Sequence, residues 1–208
     1  MTFGLVKHNN NSISAITSAG QLAQGKMTLI KEQTASSSSS ISFVNGSSSV
    51  VLDNTYPIYL FKFINIHPAS DGVTFQFNMS TDSGSNYNAT KTTTYFRAYN
   101  YENDSGTNLE YRTGEDLAQS TSNQIIFNSL GSDNDQSLSG EIVLFEPSST
   151  FVKHFLLKTN CSGNGDYTWN AYVSGYANTT SAVDAIQFSM NSGNIDSGTI
   201  KLFGIKGS

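Results

Sequence analysis

The sequence predicts an all-β protein: an antiparallel β-sandwich, jelly-roll in type, of about ten strands. Three observations predict it. The chain has 208 residues, of which 32 are Ser, 20 Thr and 21 Asn, while only 13% are charged. Ser and Asn compete with helical backbone hydrogen bonds and Thr is stiff at χ1, so this composition works against helices. Apolar side chains recur at every second position in segment after segment, the period of a half-buried strand. Turn-rich breaks separate the segments at intervals of roughly 8 to 15 residues, the spacing of a sandwich. There is no fixed-period repeat and no heptad run, which argues against a propeller, a solenoid or a coiled coil.

The elements follow in order. Residues 1–25 carry "NNNS" (Asn9 to Ser12) and a sparse apolar rhythm at Ile13, Ile16 and Leu22. They are assigned to an irregular N-terminal arm with at most one short helical turn, and residues 26–208 to the sandwich domain. Met27 to Ala35 is a first strand. The serine run Ser36 to Ser40 has the composition of a linker, but "ISFV" follows at once. It is therefore read as a loop or solvated strand edge within one sheet. Asn45-Gly46 is a hairpin signal.

Tyr56 to Ile66 is the longest apolar run. Alternation places Ile58, Leu60, Ile64 and Ile66 on one face and Tyr59, Phe61 and Phe63 on the other. A strand apolar on both faces is central or touches a partner. Val73, Phe75, Phe77 and Met79 point inward from the next strand, and Tyr95, Tyr99 and Tyr101 share one side of Thr92 to Tyr101. In Gly114 to Leu130, Asp116 offers a cap for a short helix before "LAQS", and "QIIFN" reads as a strand. Ser139 to Pro147 and Phe151 to Lys158 form a hairpin around Pro147-Ser148-Ser149. Trp169, Ala171 and Val173 point inward from Tyr167 to Tyr176, as do Ile186, Phe188 and Met190 from Ala182 to Met190. The last strand is Gly198 to Lys206. It needs no downstream neighbour, because in a sandwich its partners precede it.

Composition and motifs exclude much chemistry. A net charge of −5, with 11 scattered basic residues, argues against a nucleic-acid partner. No run of 18 apolar residues spans a membrane, and no signal peptide is visible at the Met1 end. The single cysteine, Cys161, forms no intrachain disulfide and lacks the electropositive neighbours of a nucleophile. His8, His67 and His154 stand at no ligand spacing. Asp133, Asp135 and Ser137 faintly resemble a calcium loop, but Leu138 and Leu144 occupy the positions that need Gly and Glu. There is no Gly-x-Ser-x-Gly elbow, no phosphate loop at "SGNG" and no distinguished carboxylate pair. The expectation is a non-enzyme without metal or cofactor. The most suggestive cluster is Tyr87, Tyr95, Tyr99, Tyr101 and Tyr111, interleaved with Asn. Aromatic faces beside amides suit a glycan or a protein interface, although tyrosine is also a common strand residue.

Several segments resemble small β-sandwich virion structural proteins of marine tailed bacteriophages. They are "GLVKHNNNSISAITSAGQLAQGKMTLIKEQTAS", "YPIYLFKFINIHP", "SGEIVLFEPSS" with "FVKHF", and "SMNSGNIDSGTIKLFGIK". The ending carries the most weight: such proteins often close with Ser-Gly-Asn-Ile, then Gly-Thr-Ile/Phe, then Leu-Tyr-Gly-Ile-Lys. Here Phe203 stands where Tyr is common. The resemblance implies a virion component made in the host cytoplasm and leaves its part of the particle open. The polar arm before a compact sandwich suggests a capsid decoration, cement or head-fibre protein attached by its first forty or so residues. The alternative is a tail-associated receptor- or glycan-binding adhesin. The expected partners are copies of itself, as a cyclic trimer, and the major capsid or other virion proteins. A host-surface glycan is a further candidate partner.

Overall fold

Alternation of apolar and polar side chains yields twelve strands in the computed structural model, which describes residues 27–206. The arm assigned to residues 1–25 lies outside the described residues. The strands are β1 (Met27–Thr34), β2 (Ser40–Val44), β3 (Ile58–Pro68), β4 (Val73–Ser80), β5 (Lys91–Tyr101) and β6 (Thr107–Tyr111). They continue with β7 (Gln124–Leu130), β8 (Leu138–Phe145), β9 (Lys153–Gly163), β10 (Tyr167–Ala177), β11 (Ala185–Met190) and β12 (Ile195–Ile205). Eight form one antiparallel sheet in the order β1-β12-β3-β8-β9-β10-β5-β6, and four form the other, β2-β11-β4-β7. With β5, β6, β9 and β10 set aside, the other eight strands run first–eighth–third–sixth in one sheet and second–seventh–fourth–fifth in the other. That is the order of a jelly roll. The two extra hairpins lengthen the larger sheet beyond β8. The closing strand β12 lies between β1 and β3, paired on both sides.

The two layers are joined by phenylalanine. Phe61 and Phe63 face inward from the large sheet, and Phe43, Phe75, Phe77 and Phe188 from the small one. Phe188 sits at the centre, with ring centroids 5.2 Å from Phe63, 5.7 Å from Phe61 and 6.2 to 6.4 Å from Phe75, Phe77 and Phe43. Edge-to-face aromatic pairs each add about 1 kcal/mol beyond the area they bury.

Four details correct the sequence reading. The serine run does not stay within one sheet: it carries the chain from β1 in the large sheet to β2 in the small one. Asn45-Gly46 makes a turn, with Gly46 at φ +77° and its N–H bonded to Val50 O at 2.9 Å, but no hairpin follows, because β2 pairs only with β11. There is no helix at Leu117–Ser120. That segment runs beside β5, with Thr93 N–H donating to Leu117 O and Lys91 bridging Ser120, while Asp116 accepts the Tyr111 hydroxyl at 2.6 Å. In β3 a bulge at Asn65 (φ +49°) shifts the register between Phe63 and Ile66. Ile66 thereby joins Tyr59, Phe61 and Phe63 in the core, while Ile64 stays 41% exposed.

One end of the core is closed by lysines. Lys91 and Lys153 flank Ala177 in register across β5, β10 and β9, and both are buried. Lys91 Nζ donates to Asn78 Oδ1 at 2.5 Å and Ala89 O at 2.7 Å, and no carboxylate pairs with it among the described residues. Burial pushes its amine down to about 8. The unfolded chain, near 10.4, then holds a proton that the folded chain gives up. The penalty is full below pH 8 and disappears as pH rises towards 10.4. Lys91→Met removes it at every pH. The stability difference between that variant and the parent is expected to change by about 3 kcal/mol from pH 7 to 10.5, in the direction that favours the parent. Urea melts of the two proteins at each pH measure it, and the subtraction cancels the opposing effects of buried Cys161 and Tyr95. A difference that is flat with pH contradicts the buried-amine assignment.

Candidate binding cleft

The added strands β9, β10, β5 and β6 continue the large sheet past β8, so part of its inner face outruns the small sheet. β7 covers the nearer part. Tyr95 donates its hydroxyl to Ile126 O at 3.3 Å, Thr93 donates to Gln124 Oε1 at 2.7 Å, and Phe127 meets Trp169 edge-on at 4.6 Å. Beyond Phe127 the covering strand turns polar, with Asn128 and Ser129, and a cleft of about 270 Å³ opens against the sheet.

Antiparallel pairing builds the cleft wall. Tyr99 stands opposite Trp169, and Tyr101 opposite Tyr167. Tyr101 is perpendicular to both Tyr99 and Tyr167, at 83° and 81°, with centroids 5.6 Å apart in each case. Arg97 stands opposite the small Ala171, which leaves room for its guanidinium to lie over the Trp169 ring at 3.5 Å. A desolvated cation over an indole face is worth about 2 kcal/mol.

The charges form a closed chain. Arg97 Nε donates to Glu110, which also accepts from Arg112 at 3.3 Å. Arg112 donates twice to Glu115, at 2.7 and 3.0 Å, and Asn128 Nδ2 donates to the same carboxylate at 2.6 Å. The Glu115 carboxylate, itself buried, holds the Arg112 guanidinium above its ordinary range. Two guanidiniums thus balance two carboxylates, and the chain ties β5, β6, the turn after β6 and β7 into one wall.

The five tyrosines singled out by their spacing do not share a site. Only Tyr99 and Tyr101 line the cleft. Tyr95 is fully buried in the core, where desolvation raises its phenol far above the usual range, so it contacts no partner. Tyr111 lies opposite Phe96 on the outer side of the sheet, and Tyr87 stands by Gly84 in the loop after β4. The sequence reading missed Arg97, Arg112 and Tyr167 as site residues. Tyr167 could have been found from Trp169, since period two places both on one face.

A second surface lies on the outer face of the large sheet. Register places Leu29, Phe203, Leu60, Val143 and Leu156 in a row across β1, β12, β3, β8 and β9. Met27, Ile205, Ile58 and Phe145 form the neighbouring row. Met27, Leu29 and Leu156 are about half exposed, at 52%, 48% and 54%. With strands about 4.8 Å apart, the apolar stripe is about 19 Å wide. On its other side runs a charged row, in which Glu32 pairs with Lys201 at 3.0 Å and Lys62 with Glu141.

Elsewhere, burial raises the Cys161 thiol far above its usual range, which makes it a poor nucleophile. Among the described residues, no three His, Cys, Asp or Glu gather as metal ligands. No protein-family model, curated protein or solved structure matches this chain.

Proposed function

We propose that the protein is a structural component of a tailed-phage virion, a capsid decoration, cement or head-fibre protein displayed on the particle surface. The observation that carries this reading is the apolar outer face of the eight-stranded sheet. Contiguous apolar surface on that scale is rare on a lone soluble domain and marks a surface covered by protein. The jelly roll is a fold of viral capsid and lectin domains, and the C-terminal Ser192 to Lys206 carries the phage resemblance. Further copies of the chain, as a cyclic trimer, or the capsid shell cover the face.

The test is Leu156→Glu, which places a charge at the β9 end of the stripe without touching the core. Light scattering behind size exclusion should give an oligomer for the parent and a smaller species for the variant, with the same β circular dichroism. A monomeric parent that also fails to bind purified particles defeats the proposal.

A second reading, an adhesin, is favoured by the aromatic cleft. It is read as a binding role, with the two arginines that line the cleft engaged by Glu110 and Glu115. A glycan array probed with the purified chain tests it, and no saturable binding rules it out.

A further inference from the structure

We propose that the cleft between the β5–β10 face and the end of β7 binds a neutral pyranose, and that it discriminates against acidic sugars. The inference rests on the adhesin reading and names its ligand class.

Charge decides the class first. The charged residues lining the cleft are Arg97 and Arg112, and both guanidiniums already serve Glu110 and Glu115, so a ligand carboxylate, sulfate or phosphate must compete with those carboxylates for them. Arg112 has all three of its guanidinium nitrogens engaged. An added anion leaves the site with an uncompensated negative charge, which is costly in a partly desolvated cleft. A neutral ligand brings no such cost.

Shape and hydrogen-bonding capacity then point to a sugar. Tyr99 and Tyr101 meet at 83° and both line the cleft, so their rings form a corner in its wall. A pyranose matches such a corner, with an apolar C–H face to lay on a ring and an equatorial rim of hydroxyls to bond outward. The cleft also holds donors in excess. The hydroxyls of Tyr99, Tyr101 and Tyr167 make no hydrogen bond to the described residues. Burial raises the Tyr167 phenol, which keeps it protonated and a donor. Ligand oxygens satisfy such groups, whereas an apolar ligand leaves them unpaired. At about 270 Å³ the space is at the small end for ligand pockets and fits a single sugar ring.

Trp169 is the only tryptophan in the chain, so its fluorescence reports on the cleft directly. The full chain is titrated with neutral trisaccharides of glucose, galactose, mannose and N-acetylglucosamine, and with sialyllactose and trigalacturonate. At least one neutral probe should shift the emission saturably, with each acidic probe about tenfold weaker or more. Tyr101→Ala should weaken the neutral probe about tenfold, with Leu109→Ala, on the opposite face, unchanged. Should Tyr101→Ala fail to fold, Tyr101→Phe removes only the hydroxyl and should weaken binding about threefold. Glu110→Gln should raise the affinity for the acidic probes by releasing Arg97. Acidic probes binding more tightly than neutral ones to the parent overturn the ligand class and leave the adhesin reading standing. No emission change with any probe, alongside saturable binding on a glycan array, overturns the cleft as the site. Silence in both assays ends the adhesin reading as well.

Discussion

Phe188→Ala is expected to lower stability by about 4 kcal/mol, the largest loss from any single core truncation in this fold. The reason is position. Phe188 is fully buried on β11 and touches five other phenylalanine rings, two of them on the opposite sheet. Truncation removes the transfer free energy of a large ring and five aromatic contacts, two of them edge-to-face. It also leaves a cavity that strands paired on both sides cannot close, since β11 is held between β2 and β4. For a domain of this length the melting temperature should fall by about 10 °C. Thermal and urea melts measure it, with Phe151→Ala as the control, because Phe151 is 76% exposed. A loss below about 1 kcal/mol contradicts the view that this aromatic cluster fastens the two layers.

Gly198→Ala should cost about 3 kcal/mol, far more than an ordinary surface substitution. Gly198 sits in the irregular start of β12 with φ +115°, a conformation that L side chains rarely adopt. Space is also lacking. A Cβ there would lie 2.6 Å from Asn65 O and 2.8 Å from Ile66 Cα, both backbone atoms of the bulge in β3. The bulges in β3 and β12 therefore fit each other, and a methyl group forces the strands apart where Ile66 turns into the core. Gly114→Ala offers the comparison. Its added Cβ would meet no atom within 4 Å and its backbone is not left-handed, so it should cost clearly less. Equal losses for the two variants, read from urea melts, contradict the interlocked bulges.

Strands with one buried face were legible in the sequence. In β10 and β11 the alternation of Trp169 to Val173 and Ile186 to Met190 matches their burial, and in β4 it holds from Val73 to Phe77 but fails at Asn78, whose place on the outward period does not keep it from being buried. β6 was not legible, because almost every residue from Thr107 to Tyr111 is exposed or nearly so and no face stands out. The bulge at Asn65 was hidden for a different reason. A single left-handed residue resets the period, and the side chains around it do not reveal that they have changed face. The serine run showed that a connection existed but not that it crossed between sheets, since composition carries no information about which layer comes next.

The cleft was only partly legible, and the cause is geometric. Tyr87, Tyr95, Tyr99, Tyr101 and Tyr111 are close in sequence, yet depth along one strand separates Tyr95 from Tyr99, and Tyr111 points to the other side of the sheet. The partners that complete the site, Tyr167 and Trp169, come from β10 through cross-strand register. Pairing of distant strands is what a linear reading lacks. The outer stripe was better foreshadowed, because Tyr56 to Ile66 is apolar on both faces and only one face can enter the core.

Electron cryomicroscopy of virions purified from the source of this chain tests the proposed role most directly. The account predicts jelly-roll density on the particle exterior, with Leu29, Leu156 and Phe203 covered by a neighbouring copy or by the shell. Particles that lack the chain, or that carry it with that sheet face open to solvent, would contradict it.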